Sequence, residues 1–477
     1  MMLLNHGNSH LGPMARCAAL CGAILAVAGT GGLQAGSLTL DVSPSHPVLL
    51  SGQKQTTYVR ISLTGSEIES DEERPPLNVA VVIDTSGSMS GDKIVQARKA
   101  AIEAVKRLRS DDIVSVVLYD SDVEVLVPAT KATDRDSILA KIQSIQANGS
   151  TALFAGVSKG AAEVRKFIGE ESVNRVILLS DGRANRGPST PSELARLGAS
   201  LVKEGISVST LGLGLGYNED LMSDLALAGS GNHLFIEEAD DLVAMFNAEF
   251  NDLMSVVAGD FEINVRVAKG VRPVRVLGTD ADIDGQNVFV PLTQLYSRQQ
   301  RYFVMELEVP SRDDNESMKL ADVDIAYVNK ITNQSESARS TVSVQFSSDE
   351  DKIAQNRNLE VIAYCTVQIA NERNRRATLL RDAGKVEEAK KLLLINQSSL
   401  STVRRQCIAA GVDSVLPELN FNCTLNEQQA VGLEDDSKWS SNRKLMRAAQ
   451  NYNQVQQRSA PKLKVPDLVL PSLDSKP

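Results

Sequence analysis

Three side chains that carry oxygen follow one apolar run at alternate positions. Asp84, Ser86 and Ser88 come directly after residues 79–83, a run of Val, Ala and Ile. A loop that leaves a buried strand can turn alternate side chains toward one point above the edge of a sheet. Because carboxylate and hydroxyl oxygens are hard ligands, this spacing predicts a site for Mg²⁺, Mn²⁺ or Ca²⁺ and disfavours zinc or copper.

Two later segments add oxygen ligands in equivalent places. Thr151 stands just before a predicted helix that begins near Leu153, and Asp181 follows the apolar run 176–179. Taken singly, the serines could cap a helix and Asp181 could form a turn with Gly182. The carboxyl ends of parallel strands meet at one edge of a sheet, however, so three such loops favour a shared metal site.

Together the three segments resemble the metal-binding motif of the von Willebrand factor A family. The stretch from Asp84 to Ser88 resembles its D-x-S-x-S element, the residues around Thr151 its threonine loop, and Asp181 its second aspartate. The resemblance implies that Ser86 and Ser88 bind the ion through their hydroxyls and that Thr151 binds it directly or through water. Asp84 and Asp181 would act largely through water and supply negative charge.

The same resemblance implies a function. Neutral hydroxyl ligands leave the ion electrophilic, with an open position for a carboxylate from a partner protein. We therefore expect a metal-dependent interaction or adhesion module, with Mg²⁺ as the expected ion and Ca²⁺ or Mn²⁺ as alternatives. Outside residues 77–258 the chain has a weaker similarity to bacterial secreted proteins of this family, to inter-alpha-trypsin inhibitor heavy chains and to calcium-activated chloride channel regulators.

The elements that must position these side chains are predicted by short apolar runs that alternate with amphipathic helices across residues 77–258. Runs such as 113–119 and 176–179 are apolar on both faces, which is typical of parallel strands covered by helices. We predict an α/β fold with a doubly wound, mostly parallel sheet. Its last helix is predicted to span residues 239–257.

The flanking regions have other patterns. Residues 36–66 and 259–348 alternate apolar and polar side chains as β-sandwich strands do, and a charged linker occupies 67–76. One arrangement places both segments in a single sandwich, with the parallel-sheet domain inserted between them. Residues 352–459 are predicted to be helical, with a hinge at Gly384, and residues 460–477 to form a flexible tail.

The N-terminus has the pattern of an export signal. Arg16 precedes a small and apolar run, and Ala35 offers a cleavage site. Residues 1–35 are therefore predicted to be a signal peptide, which places the mature chain in the periplasm or outside the cell, whether translation begins at Met1 or Met14. The run is shorter than the roughly 20 residues needed to span a bilayer, so no stable membrane span is expected in the mature chain.

Cysteine and histidine are sparse in the predicted mature chain. Cys365, Cys407 and Cys423 show no C-x-x-C spacing. In an oxidising compartment Cys407 and Cys423 could pair and leave Cys365 as a buried thiol on an apolar helix face. Because only His46 and His233 remain there, a zinc site is disfavoured.

Composition argues against other classes of function. A net charge of −10 and an aromatic content of 4% give neither a basic field nor stacking platforms for nucleic acid. The sequence has no P-loop and no H-E-x-x-H, and only two histidines remain in the predicted mature chain, so we do not expect an enzyme. Two alternatives stay open: a scaffold that acts through its helical region with a vestigial metal site, and a metal-assisted hydrolase at the same site.

Overall fold

The computed structural model describes residues 33–68, 74–169 and 171–456. The predicted signal peptide up to residue 32, residues 69–73 of the predicted linker and the predicted tail lie outside these described residues. Leu33–Ala35, the end of the predicted signal peptide, forms a strand that pairs antiparallel with Leu38–Pro44. Within the described ranges no helix combines the length and the apolar character needed to cross a membrane.

The strands and helices follow one another in three groups. In chain order the strands are β1 (Leu33–Ala35), β2 (Leu38–Pro44), β3 (Val48–Leu50), β4 (Gln55–Gly65), β5 (Leu77–Asp84), β6 (Ile113–Tyr119), β7 (Val123–Lys131), β8 (Val173–Ser180), β9 (Ile206–Leu213), β10 (Ser230–Ile236), β11 (Val256–Val267), β12 (Arg272–Leu277), β13 (Asp282–Asp284), β14 (Asn287–Val290), β15 (Gln294–Tyr296), β16 (Gln300–Val309), β17 (Ser317–Asn329) and β18 (Gln334–Ser347). The α-helices are α1 (Asp92–Lys106), α2 (Arg135–Gln143), α3 (Leu153–Arg165), α4 (Pro191–Val202), α5 (Glu219–Ala228), α6 (Leu242–Leu253), α7 (Glu350–Gln355), α8 (Leu359–Asp382), α9 (Val386–Ala410), α10 (Leu416–Gly432) and α11 (Trp439–Val455).

The central sheet has the order β10-β9-β8-β5-β6-β7, and only its edge strand β7 runs antiparallel to its neighbour. β5, β8 and β9 are buried along their whole length because helices cover both faces. Val79, Val81 and Ile83 pack with α1 and α6 on one face, whereas Ala80 and Val82 pack with α3, α4 and α5 on the other. The predicted doubly wound, mostly parallel sheet is confirmed.

The chain leaves β5 toward β6 and leaves β8 toward β9, so it turns in opposite directions from two adjacent strands. This reversal makes a crevice at the carboxyl ends of β5 and β8, which is the place where open α/β sheets bind ligands. Asp84 ends β5, and Asp181 directly follows β8. The topology therefore brings two of the five predicted metal ligands to one crevice.

The strands before and after the central sheet share two further sheets. β4 pairs antiparallel with β16 from Gln55–Val309 to Thr64–Gln300, in a sheet of order β1-β2-β4-β16-β12. β3 pairs with β18 at the edge of a second sheet, β13-β14-β11-β17-β18-β3. Side chains from both sheets, among them Ile61, Met305 and Phe346, form one apolar core. The chain thus leaves the sandwich after β4 and returns to it at β11.

The chain returns to the sandwich earlier than the helix predicted for residues 239–257 would allow. Helix α6 ends at Leu253, and β11 already begins at Val256. The predicted helix was therefore too long by its last residues. The β-branched Val256 and Val257 fit a strand, and Val256 pairs with Tyr296 of β15. Val256, Val257 and Ala258 are all buried, and a short continuous apolar run does not distinguish a strand from the end of a helix.

The C-terminal helices pack against both other regions. Val361 of α8 and Leu400 of α9 share an apolar cluster with Tyr302 and Val304 of β16. Between α8 and α9 the chain turns at Gly384, whose φ of +77° favours glycine, in agreement with the predicted hinge. Helix α11 lies against α5 and β10 of the central domain.

The three cysteines of the described chain are all buried and free. Cys407 and Cys423, which the sequence allowed to pair or to remain free, therefore form no disulfide bond. Burial raises the pKa of Cys365 to about 12, so this thiol stays protonated at neutral pH, as its predicted place on an apolar helix face implies.

A buried ion pair joins the central sheet to the sandwich. Arg175 of β8 donates to Glu249 of α6 at 2.8 Å, to the Tyr296 hydroxyl of β15 at 2.7 Å and to Ser207 at 3.0 Å. The Arg175 and Glu249 side chains are 0% exposed. Asn232 also donates to Glu249, at 2.7 Å. The central sheet, helix α6 and strand β15 therefore meet at one desolvated guanidinium.

Removing one member of this pair is expected to destabilise the fold strongly. Arg175→Met leaves the Glu249 carboxylate buried without its counter-charge, which lowers the free energy of unfolding by about 3–5 kcal/mol. Urea denaturation followed by circular dichroism measures the loss. Arg165→Met is the matched control, because Arg165 pairs with Glu204 at the surface and such pairs contribute only about 0–1 kcal/mol. Equal losses in the two variants would contradict the structural role given to Arg175.

Candidate metal centre

Two carboxylates lie almost completely buried in the crevice between β5 and β8. Asp84 is 0% exposed and Asp181 is 1% exposed. The strands that carry them are direct neighbours, with Ile83 opposite Leu179 in a parallel pair. Because burial of a carboxylate disfavours its charged form, two such groups at one sheet edge need hydrogen bonds or a cation nearby.

The loop after β5 provides the first hydroxyls. The Ser86 amide donates to Asp84 Oδ1 at 2.8 Å, which folds the loop back over the strand end. The Ser86 and Ser88 hydroxyls are 3.1 Å apart, and Ser88 donates to Asp181 Oδ1 at 2.7 Å. The fully buried Met89 anchors the short 3₁₀ turn Gly87–Met89 in the core. This anchor holds both serines at the crevice while Ser88 stays exposed to solvent.

A second loop brings Thr151 to the same place. The Gly87 amide donates to the Gly149 carbonyl at 3.1 Å, and the Thr151 amide donates to Asn185 Oδ1 at 3.0 Å. Gly182 lies between Thr151 and Asp84: a Cβ added there would stand 3.1 Å from Thr151 Oγ1 and 3.6 Å from Asp84 Oδ2. The structure thus collects all five side chains that the sequence singled out.

Two further residues, which the sequence reasoning did not identify, hold Asp84. Ser180 donates to Asp84 Oδ2 at 2.6 Å, and the Tyr119 hydroxyl donates to the same oxygen at 3.3 Å. Burial raises the pKa of Asp84, hydrogen bonds from Ser180 and Ser86 oppose that rise, and the negative charge of Asp181 adds to it. The sequence shows that Ser180 directly precedes Asp181. It does not show that the Ser180 hydroxyl donates to Asp84.

Lys93 is a third residue that the sequence analysis did not identify. Its ammonium donates to Asp181 Oδ2, and its side chain is 33% exposed while that of Asp181 is 0% exposed. Lys93 is the second residue of α1, where a basic side chain gains nothing from the helix dipole. A positive charge therefore stands at the buried carboxylate, on the solvent side of the crevice.

The glycine-rich segment after β9 completes the surroundings. A Cβ added to Gly216 would stand 2.8 Å from the Asp181 carbonyl, and one added to Gly214 would stand 3.7 Å from Lys93 Nζ. Strand β9 ends at Leu213, so this segment forms the strand end and a loop beside the crevice. Beside them Leu215 is 49% exposed.

The donor set fits a hard divalent cation. It consists of three hydroxyl groups and two carboxylates, which are the oxygen ligands that Mg²⁺, Mn²⁺ and Ca²⁺ prefer. Across the described ranges no cluster of three or more His, Cys, Asp or Glu side chains could hold a metal ion. These residues therefore provide no metal site built from histidine or cysteine ligands. The mutual repulsion of Asp84 and Asp181 is the kind of electrostatic cost that a divalent ion relieves.

A family model and several relatives match the central domain. Residues 78–248 match the von Willebrand factor type A domain. The protein YfbK of Escherichia coli (strain K12) is 29% identical over 214 residues, which make up 44% of this chain and 37% of that protein. Inter-alpha-trypsin inhibitor heavy chain H3 of Mus musculus is 30% identical over 201 residues, 40% of this chain and 22% of the mouse protein. The chain therefore spans less than two thirds of the length of both relatives.

Other matches extend over more of the chain. The protein sll0103 of Synechocystis sp. is 25% identical over 349 residues, 69% of this chain and 82% of that protein. The crystal structure of the ArnB paralog VWA2 from Sulfolobus acidocaldarius has a TM-score of 0.62 at 18% identity and covers 88% of this chain and 99% of its own. A von Willebrand factor type A structure from Catenulispora acidiphila has a TM-score of 0.61 at 16% identity, with 82% and 91% covered. At these identities the two structures show the likeness of the fold alone, which reaches beyond the central domain.

Replacing Lys93 is expected to destabilise the chain when metal is absent. Lys93→Met removes the ammonium from a fully buried carboxylate, so the free energy of unfolding in the presence of a chelator falls by about 1–3 kcal/mol. Lys99→Met, an exposed lysine on the same helix, is the control and is expected to change little. Urea denaturation in EDTA compares the two. If the Lys93 variant is as stable as the Lys99 variant, the Lys93 ammonium does not balance the charge of the Asp181 carboxylate.

Proposed function

Because residues 78–248 form a von Willebrand factor type A domain, we propose that this chain binds a partner protein through a divalent cation. The ion is held by Asp84, Ser86, Ser88, Thr151 and Asp181. The observation that carries the proposal is the convergence of these five side chains at the crevice where the central sheet changes direction. The partner contributes a carboxylate.

The charges of the centre support this type of partner. Three of its five side chains are neutral hydroxyls, so a bound divalent ion keeps part of its positive charge and attracts an additional anionic ligand. Ser88 is exposed, whereas Asp84, Ser86, Thr151 and Asp181 are buried, so the open side of the centre faces solvent next to Ser88. The exposed Leu215 beside the crevice offers an apolar contact for the same partner.

We propose Mg²⁺ as the physiological ion. Mg²⁺ keeps several of its water molecules and takes few direct ligands from protein, which suits a centre whose two carboxylates act largely through water. Ca²⁺ and Mn²⁺ use the same oxygen ligands and are the alternatives. The ion supplies Lewis acidity toward the partner's carboxylate, while the described side chains set its position.

We also propose that the protein acts without catalysis and outside the cytoplasm. The histidines of the described chain lie elsewhere: His233 is buried against Thr210 and Tyr217, and His46 stands beside Ser45. No imidazole therefore faces the crevice as a general base, which disfavours a hydrolase. Export rests on the pattern of residues 1–35, of which residues 1–32 lie outside the described ranges.

A second candidate function is supported by the surface of the helical region. Large apolar side chains are exposed on α8, α9 and α10: Leu379 (58%), Leu394 (54%), Ile408 (58%) and Val431 (73%). A scaffold that captures its partner there would not need the metal centre. Replacing Leu379 and Ile408 by Gln distinguishes the two candidates, because the metal-dependent function predicts that partner capture survives this change.

Removing the carboxylate of Asp84 is expected to weaken metal binding. Isothermal titration with MgCl₂ should show one saturable site in the unmodified chain. In Asp84→Asn the affinity is expected to fall about 10–100-fold, as is typical when a group that orients metal ligands is lost. Asp92→Asn removes an exposed carboxylate at the start of α1 and should bind Mg²⁺ like the unmodified chain. Unchanged affinity in Asp84→Asn would contradict the proposed site.

Partner capture is expected to follow the same pattern. Immobilised protein incubated with secreted and cell-surface fractions should retain its partner in Mg²⁺ and release it in EDTA, since the ion bridges the two proteins. The Asp84→Asn variant should retain none, and Asp92→Asn should behave like the unmodified chain. A partner retained equally by Asp84→Asn would support the helical surface instead.

A further inference from the structure

The buried arginines of this protein follow a common rule. Arg60, Arg74 and Arg175, each at most 5% exposed as whole residues, form ion pairs with carboxylates. Arg74, for example, meets both oxygens of Asp112, at 3.0 and 2.6 Å. A guanidinium stays protonated even when it is buried, so a desolvated arginine needs an anion close by.

Arg301 of β16 is partly buried and, unlike these arginines, has no ion pair in the described chain. Within the described ranges no carboxylate forms an ion pair with it, and its guanidinium donates a single long hydrogen bond of 3.4 Å, to the Gln454 carbonyl. Burial lowers the pKa of Arg301 to about 10, whereas Tyr296 and Tyr302 act in the opposite direction. The guanidinium therefore keeps its charge at neutral pH, and most of its five donors lack a partner in the described chain.

The guanidinium lies in the wall of a cavity of about 300 Å³. The three regions of the chain meet around it: Lys203 and Asn232 belong to the central domain, Arg301 to the sandwich, and Gln454 to helix α11. A cavity of this volume is at the lower end of the range for small-molecule sites, which occur preferentially where domains meet. Because Arg301 is only partly buried by its neighbours, its free donors can be reached from the cavity.

The other charged groups of the wall lie at its rim. Lys203 is exposed and adds a second positive charge. Asp280 is exposed as well, and it does not form an ion pair with Arg301. The deeper part of the wall is lined by neutral groups, such as Asn232 and Gln299, so Arg301 is the charged group that a ligand would meet inside.

We propose that Arg301 anchors a binding site in this cavity for a small oxyanion, a compound that carries a carboxylate or a phosphate group. The planar fork of a guanidinium pairs with two oxygens of either group, which supplies the counter-charge that Arg301 lacks. The site is separate from the metal centre and does not depend on it. Since its walls come from three regions, a bound oxyanion holds these regions together and stabilises their junction.

Thermal unfolding and isothermal titration test this site, with sodium phosphate and sodium succinate as probes at constant ionic strength. Saturable binding and a rise in melting temperature are expected with at least one probe, and the probe that acts identifies the phosphate or the carboxylate as the recognised group. Arg301→Gln is expected to bind that probe at least about 30-fold more weakly, as when one partner of a buried charge pair is removed. Arg298→Gln is the matched control, because Arg298 is exposed, pairs with Glu67 and lies outside this cavity; it should bind like the unmodified chain.

Two results would overturn the proposal. One is a melting temperature of the unmodified chain that neither probe raises above that in sodium chloride of equal ionic strength. The other is an Arg301→Gln variant that responds to the probes as the unmodified chain does. If Arg301→Gln does not fold, Arg301→Lys provides the test, since it keeps the charge but loses the two-pronged contact and should bind more weakly. Mg²⁺ titration of the same variants should be unaffected, which separates this site from the metal centre.

Discussion

Two carboxylates buried side by side at the ends of β5 and β8 impose the condition that shapes the rest of the site. Asp84 and Asp181 can stay charged there only with donors and a cation nearby, because the strands beneath them are buried on both faces. Ser180, Tyr119 and the Ser86 amide supply donors to Asp84, and Ser88 and Lys93 supply them to Asp181. A divalent ion would satisfy both carboxylates at once, and for this reason we propose the crevice as a metal-binding site.

The rest of the molecule keeps this crevice in shape. The sandwich receives both ends of the central domain, and the Arg175–Glu249 pair ties β8 to Tyr296 in the returning chain. On the other side, Lys444 of α11 donates to the Tyr217 carbonyl at 2.9 Å, and Arg443 pairs with Glu219 at 2.6 Å. Tyr217 follows the glycine-rich segment that touches Asp181, so α11 supports the wall of the crevice from behind. The helical region is thus part of the same framework as the metal centre.

The sequence was sufficient for the parts that depend on local pattern. Apolar runs bounded by amphipathic helices predicted the parallel sheet, and the rule that strand ends share an edge predicted that Asp84, Thr151 and Asp181 would converge. It was insufficient where the partner lies far along the chain. Neither the Lys93 contact with Asp181 nor that of Tyr119 with Asp84 has a local signature. The end of α6 at Leu253 and the three free cysteines were also set by tertiary packing, which periodicity and residue counts do not report.

The proposed metal centre is tested by diffraction from crystals of this protein grown with Mn²⁺, recorded at a wavelength at which manganese scatters anomalously. One anomalous peak is expected in the crevice, next to the hydroxyls of Ser86, Ser88 and Thr151, with the Lys93 ammonium moved away from Asp181. A crevice without such a peak at saturating Mn²⁺, with Lys93 still on Asp181, would contradict the proposed centre.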